Sequence, residues 1–304
     1  MKKLLICLLV FPMFSLQGQH DVAFLESIHA RPERLSKMIK VEGKVPFELV
    51  NGLIIVNARL NGEEGAFILD TGAPALVLND RSGEAGQLSG EGVNGQVELG
   101  EVNVEDFELG TVRRKRIDAY TLDISHLGEA TNRQIDGLIG FEVFRESEML
   151  FDYGHEQIQF FPARNSSLHK FNRPLLAVEL EMHEHLPVLV LRAGEQTIRL
   201  GIDTGTEINL VDRSLIPLLE GQLQWKEEYA RVRGLNQQAT MAQKAVVTLT
   251  LPGAEHSRPV ECYFADLSAT PSVRDLKIDG LVGFEFLRQM RFSINFPEKQ
   301  FYVW

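Results

Sequence analysis

Cysteine is nearly absent from this 304-residue chain: Cys7 and Cys262 are the two it has. That excludes a disulfide framework and any cysteine-built zinc site. Positive charge is in deficit, with 31 Lys+Arg against 42 Asp+Glu and a formal net charge of -11. Such a field repels phosphate backbones and anionic lipid, so neither nucleic acid nor a membrane surface is an expected partner. No stretch reaches the roughly 18 apolar residues of a membrane span. A Gly-x-Ser-x-Gly elbow is missing, which removes support for a serine hydrolase. No HExxH helix is present, and neither a metal nor another cofactor is expected. What remains, 44% hydrophobic and 24% charged, is globular composition with enough length to bury a sizeable core.

The first residues read as an export signal. Lys2 and Lys3 precede an apolar run over 4–14, followed by small and polar residues with a cleavage point after Gly18. A periplasmic or secreted mature protein is therefore expected, retaining Cys262 alone.

Beyond the leader, the chain repeats itself. Phe67-Ile-Leu-Asp-Thr-Gly-Ala73 returns as Leu200-Gly-Ile-Asp-Thr-Gly-Thr206, and Leu78-Asn-Asp-Arg-Ser82 as Leu210-Val-Asp-Arg-Ser214. Gly92-Val-Asn-Gly-Gln96 returns as Gly234-Leu-Asn-Gln-Gln238, and Ile135-Asp-Gly-Leu-Ile-Gly140 as Ile278-Asp-Gly-Leu-Val-Gly283. Leu150-Phe-Asp-Tyr153 is echoed by Ser293-Ile-Asn-Phe296. The offsets run 133, 132, 142, 143 and 143, one jump in a constant series. This is a duplicated unit, the second copy carrying an insert (215–229) with helix-like apolar spacing.

Each copy reads as short strands punctuated by glycine turns, such as 53–60, the Asn61-Gly62 hairpin signal and 65–69. The prediction is an all-β protein of two barrel-like lobes related by a pseudo-twofold axis. The expected divisions are a signal peptide (1–18), a lead-in of a short helix plus a strand or a removable pro-segment (19–50), an N-terminal lobe (51–164), a polar linker (165–174) and a C-terminal lobe (175–304). No counterpart of 20–50 is visible in the second copy.

A lone Asp-Thr-Gly after a strand is what a tight turn prefers. Two of them at matched places in a duplicated chain can meet at the lobe interface. Two carboxyls at hydrogen-bonding distance hold one proton between them, and the ionised one then takes a proton from water. With the later Asp-Gly-Leu-Ile-Gly and Asp-Gly-Leu-Val-Gly motifs, the chain resembles the pepsin and retropepsin superfamily of aspartic peptidases, which are known for this proton sharing. It resembles in particular bacterial exported members with two retropepsin-like units in one chain, over residues 53–304.

The resemblance implies an acid-protease fold with the active site between the lobes, and assigns Asp70 and Asp203 as the catalytic pair. Thr71 and Thr204 would cross-link the two loops, while Gly72 and Gly205 let the backbone pass close to the carboxyls. Gly140 and Gly283 would be packing positions behind those loops, and Asp136 and Asp279 turn formers. Substrate-covering flaps are placed at Gly92, Val93, Asn94 and Gly95, and at Gly234, Leu235 and Asn236. Neither contains the tyrosine of pepsin-type flaps. Thr206 is expected to donate to the outer oxygen of Asp203, making Asp203 the more acidic partner.

Other patterns are read as bland. Gly90-Glu-Gly-Val-Asn-Gly95 lacks the strand before and helix after that a dinucleotide loop needs. His183-Glu-His185 is read as a solvated loop, and Arg113-Arg-Lys-Arg116 as a solvated strand or turn. Asn165-Ser-Ser167 is a glycosylation sequon relevant to a eukaryotic secretory pathway. The resulting expectation is an exported, monomeric aspartic endopeptidase acting on peptide or protein substrates. Two alternatives fit the same residues: a non-catalytic peptide-binding protein, and a processing protease for one partner.

Overall fold

The computed structural model describes residues 43–80, 88–92, 95–233, 239–268, 273 and 277–304. The leader and most of the lead-in lie outside these. The first half runs β1 (Lys44–Val50), β2 (Leu53–Leu60), β3 (Glu63–Leu69), β4 (Leu76–Asn79), β5 (Leu88–Gly92), β6 (Gly95–Leu109) and β7 (Val112–Leu122). Helix α1 (Ser125–Thr131), β8 (Gly137–Ile139), α2 (Phe141–Phe144), β9 (Ser147–Asp152) and β10 (Gln157–Pro162) complete it.

After α3 (Ser167–Phe171), the second half repeats the plan. Its strands are β11 (Leu176–Glu179), β12 (Glu181–His183), β13 (Leu186–Ala193), β14 (Gln196–Ile202), β15 (Leu210–Asp212), β16 (Gln224–Arg233), β17 (Ala239–Leu249), β18 (Arg258–Ala265) and β19 (Gly280–Val282). Helix α4 (Phe284–Leu287), β20 (Phe292–Asn295) and β21 (Gln300–Val303) end the chain. The protein is all-β in two lobes, as predicted.

In the first lobe β2, β3, β8, β4, β7 and β6 close into a six-stranded barrel, Arg59 pairing with Glu108 at the seam. The second lobe follows the same order, and the Arg192–Thr250 bridge stands at the corresponding seam. Local sequence explains the framework. β2 is rich in β-branched residues, and Asn61 and Gly62, with φ of 51° and 90°, make the type I′ turn that the strand twist favours. The short strands β8 and β19, Gly-Leu-Ile and Gly-Leu-Val, are buried throughout. Each lies parallel to the strand that leads into an Asp-Thr-Gly loop: β8 against β3, β19 against β14.

The lobes are joined by a six-stranded sheet in the order β1, β10, β9, β20, β21, β11. At its centre Leu150 pairs with Ser293, its own counterpart at the offset of 143, so the pseudo-twofold axis passes through that pair. Phe151 and Phe292 stack beside it at 4.7 Å, and Phe292 stacks on Phe301 at 5.1 Å. Fully buried phenylalanines of this kind contribute about 2 kcal/mol each, so the axis is fastened by its own core.

The structure corrects five readings. Residues 44–50, grouped with the lead-in, form β1, and the Lys44–Gln159 pairing has its equivalent in Ala177–Tyr302. The repeat thus begins earlier than sequence matching found, because strand position persisted while side chains diverged. The match of 78–82 to 210–214 is one residue out of register: Val77 and Leu210 both face the central strand, at Leu138 and Leu281. The offset of 133 therefore continues through β4. Of the insert, only 215–218 is helical, as the end of a 3-10 turn (Arg213–Leu218) that contains Pro217, and β16 follows. Apolar spacing there reflected a turn packed on the lobe, where proline forbids a longer α-helix. The fourth and fifth corrections, His185 and the order of the two aspartates, belong to the site.

The basic run Arg113–Arg116 lies on β7, paired with Glu108, Glu146, Asp106 and Glu105 in turn, at 3.3, 3.6, 3.2 and 3.8 Å. These exposed pairs satisfy charge and add little stability. Among the described residues no helix is long and apolar enough to cross a membrane.

Candidate active site

Strands β3 and β14 end at Leu69 and Ile202, and each delivers an aspartate into a tight turn. Asp70 and Asp203 are both fully buried. Their loops face each other across the axis. A Cβ added at Gly72 would stand 2.7 Å from Asp203 Cγ, and one at Gly205 would stand 2.6 Å from Asp70 Cγ. Only glycine permits so close an approach.

The two threonines lace the loops together. Thr71 Oγ1 donates to Ile202 O at 2.8 Å and accepts from Thr204 N at 3.0 Å. Thr204 Oγ1 donates to Leu69 O at 2.8 Å and accepts from Thr71 N at 3.0 Å. Each hydroxyl thereby satisfies one donor and one acceptor of the opposite lobe in a dry interior, where such bonds are strong. Behind the loops, a Cβ at Gly140 would stand 2.6 Å from Ala73 O, and one at Gly283 would stand 2.7 Å from Ile208 O. Both glycines are packing positions, as predicted.

The carboxyls are held unequally. Asp70 Oδ1 accepts from the Gly72 and Ala73 amides at 2.8 and 3.0 Å. Asp203 Oδ1 accepts from the Gly205 amide alone, at 2.8 Å. The second oxygens, Asp70 Oδ2 and Asp203 Oδ2, have no hydrogen-bond partner among the described residues. Burial pushes the Asp70 carboxyl up to about 7, moderated first by the Asp203 side chain and then by the Gly72 and Ala73 amides. Burial and the charge of Asp70 raise Asp203 well above the usual carboxylate range. The extra amide on Asp70 favours Asp70 as the carboxylate and Asp203 as the partner that keeps the proton. This reverses the sequence expectation, and the reason is visible: Thr206 Oγ1 donates to Ile208 O at 3.3 Å and leaves Asp203 alone.

A family model described as "Aspartyl protease" matches residues 56–143 and 188–286, more than half of the chain. The chain belongs to the aspartyl protease family. Its two matched regions are the two retropepsin-like repeats. Among solved structures it resembles the aspartic proteinase from Irpex lacteus, at 13% identity and a TM-score of 0.52, covering 86% of this chain and 96% of that one. That likeness is one of fold. No curated protein matches the sequence.

Several roles fall into place on the family's frame. Asp136 and Asp279 clip backbone: their Oδ2 atoms accept from Ala66 N at 2.9 Å and Arg199 N at 2.7 Å. The flap positions Val93, Asn94, Gly234, Leu235 and Asn236 lie outside the described residues. Their stems are hairpins, with Gly92 paired to Gly95 and Arg233 to Ala239. The Gly90–Gly95 pattern thus sits between two strands, unlike a dinucleotide loop. Among the described residues no cluster of three or more His, Cys, Asp or Glu is placed to hold a metal ion.

Two buried groups escaped the sequence reading. His185, expected in a solvated loop, is 6% exposed, and its Nε2 lies 2.8 Å from Gly72 O. Burial lowers its imidazole to about 4. The reason for the error is tertiary: His185 turns inward to Gly72 of the other lobe, while Glu184 beside it stays exposed. Glu207, four residues after Asp203, is 9% exposed, and burial pushes its carboxyl up to about 9. Nothing in the local sequence marks either residue.

Proposed function

We propose that the protein is an exported aspartic endopeptidase in which Asp70 and Asp203 are the catalytic pair. The observation that carries this reading is the pair of buried carboxyls, one from each repeat, whose Oδ2 atoms have no hydrogen-bond partner among the described residues. Export rests on the leader sequence.

The unequal amide support sets the roles. Ionised Asp70 takes a proton from water as the water oxygen bonds to the substrate carbonyl carbon. Protonated Asp203 gives its proton to the carbonyl oxygen, which yields a neutral gem-diol. In the second step Asp203 recovers a proton from a gem-diol hydroxyl, and Asp70 passes its proton to the leaving nitrogen as the C–N bond breaks. The pair returns to its starting state, and the peptide lies extended between the lobes under the two hairpins.

The test is cleavage of a peptide library by the mature protein across a range from about pH 3 to about pH 9, beside Asp70→Asn and a statine-type inhibitor. The expected result is cleavage that vanishes in the variant and with inhibitor, and that declines as pH falls below about 7, where Asp70 takes up its proton. Peptide binding without turnover in both proteins would overturn the enzymatic reading in favour of a peptide-binding protein.

A further inference from the structure

The two halves match closely around the aspartates, yet one hydrogen bond breaks their symmetry. His185 reaches from the second lobe to the carbonyl of Gly72 in the first. Gly72 O is an acceptor only, so His185 Nε2 carries the proton and the ring is the Nε2–H tautomer. Its counterpart at the offset of 133 is Gly52, which has no side chain to offer. There the space belongs to Phe284, whose ring carbon Cδ1 would stand 2.9 Å from an added Cβ.

The carbonyl that His185 engages shares a peptide plane with the Ala73 N–H. That N–H is the second donor on Asp70 Oδ1, at 3.0 Å. In the other lobe the equivalent N–H, on Thr206, reaches only the main-chain oxygen of Asp203, at 3.4 Å. The lobe with the extra carboxylate bond is thus the lobe whose peptide carbonyl is held by histidine. Hydrogen bonds in series polarise one another, by perhaps 10–30% per bond, so a donor on the carbonyl strengthens the N–H across the same peptide.

We propose that His185 is a positioning residue that sets the polarity of the aspartate pair: by donating to Gly72 O it aims and strengthens the Ala73 N–H on Asp70, so that Asp70 is the carboxylate and Asp203 the acid. The inference rests on the peptidase reading above. The groups that bear on Asp70 are Asp203 and the Gly72 and Ala73 amides; those that bear on His185 are its burial and Gly72. The imidazole stays neutral where Asp70 titrates, so it acts as a dipole and not through its own protonation.

The experiment compares kcat/KM against pH for the wild type, His185→Leu, which removes the donor, and His185→Gln, whose amide nitrogen restores one at similar reach. In His185→Leu the acidic limb is expected to move to higher pH by a few tenths of a unit, up to about 0.6, with kcat falling more than KM rises. His185→Gln is expected to return the limb to within about 0.1 unit of the wild type. An unmoved limb in folded His185→Leu, or equal shifts in both variants, would overturn the proposal. If His185→Leu fails to fold, His185→Met takes its place. Carboxyl titration of Asp70 by carbon NMR reads the same shift without turnover. Silence of the wild type on every peptide would therefore sink the peptidase reading while leaving the polarity of the pair still measurable.

Discussion

Replacing Thr204 by valine keeps the shape of the side chain and removes one hydroxyl. Thr204 is buried, and its Oγ1 serves two groups of the opposite lobe, Leu69 O and Thr71 N. Both would be left without partners where water does not reach. An orphaned buried polar group costs about 1–3 kcal/mol, so the variant should lose about 4 kcal/mol, with the added methyl recovering little. For a chain of this size that is a fall in Tm of about 10 °C. Thr71→Val should cost as much, through Ile202 O and Thr204 N. The double variant should cost about 1–2 kcal/mol less than the sum, because once one half of the lacing is released the loops drift and the other half has less to lose. Thermal and urea unfolding at one pH measure all three values. A Thr204→Val protein within about 0.5 kcal/mol of the wild type would refute the claim that these bonds hold the loops together.

Further consequences are as direct. Glu207 has a folded-state pKa near 9 against an ordinary 4.5, so folding favours its protonated form. Its contribution is complete below about pH 4.5 and is lost as pH rises toward 9, so Glu207→Gln should flatten the decline in stability over that window by several kcal/mol. His185 acts with the opposite sign: its pKa is lowered from 6.5 to about 4, so its stabilising contribution is present above 6.5 and lost as pH falls toward 4. Unfolding followed from about pH 4 to 9 in the single variants separates the two, and a Glu207→Gln curve parallel to the wild type would contradict the buried acid. Gly140→Ala should destabilise by more than about 3 kcal/mol, since the methyl meets backbone with nowhere to move; near-wild-type urea unfolding would contradict that packing. Cys262 is buried and its thiol pKa is raised, so the native protein should ignore an aromatic disulfide reagent that titrates it at once in urea.

Local residues and their repetition determined much of this protein. The two Asp-Thr-Gly turns, the threonines between them and the glycines at 140 and 283 are legible because each depends on a short segment whose type is required by geometry, and because duplication shows every segment twice. The all-β class followed from strand-length apolar runs and turn residues, which are local as well. What escaped depended on neighbours distant in sequence. Strand β1 has a counterpart only by its place in the sheet between the lobes. The register of β4 is fixed by pairing with β8, while the side chains suggested a match one residue away. His185 looks like surface until it turns inward to Gly72 of the other lobe. The order of the two aspartates was decided by which peptide N–H points at which carboxyl, and that is set by a histidine 113 residues from its acceptor. Composition and spacing record what a residue is; burial and the direction of a hydrogen bond are properties of the packed chain, and those alone decided which carboxyl keeps the proton.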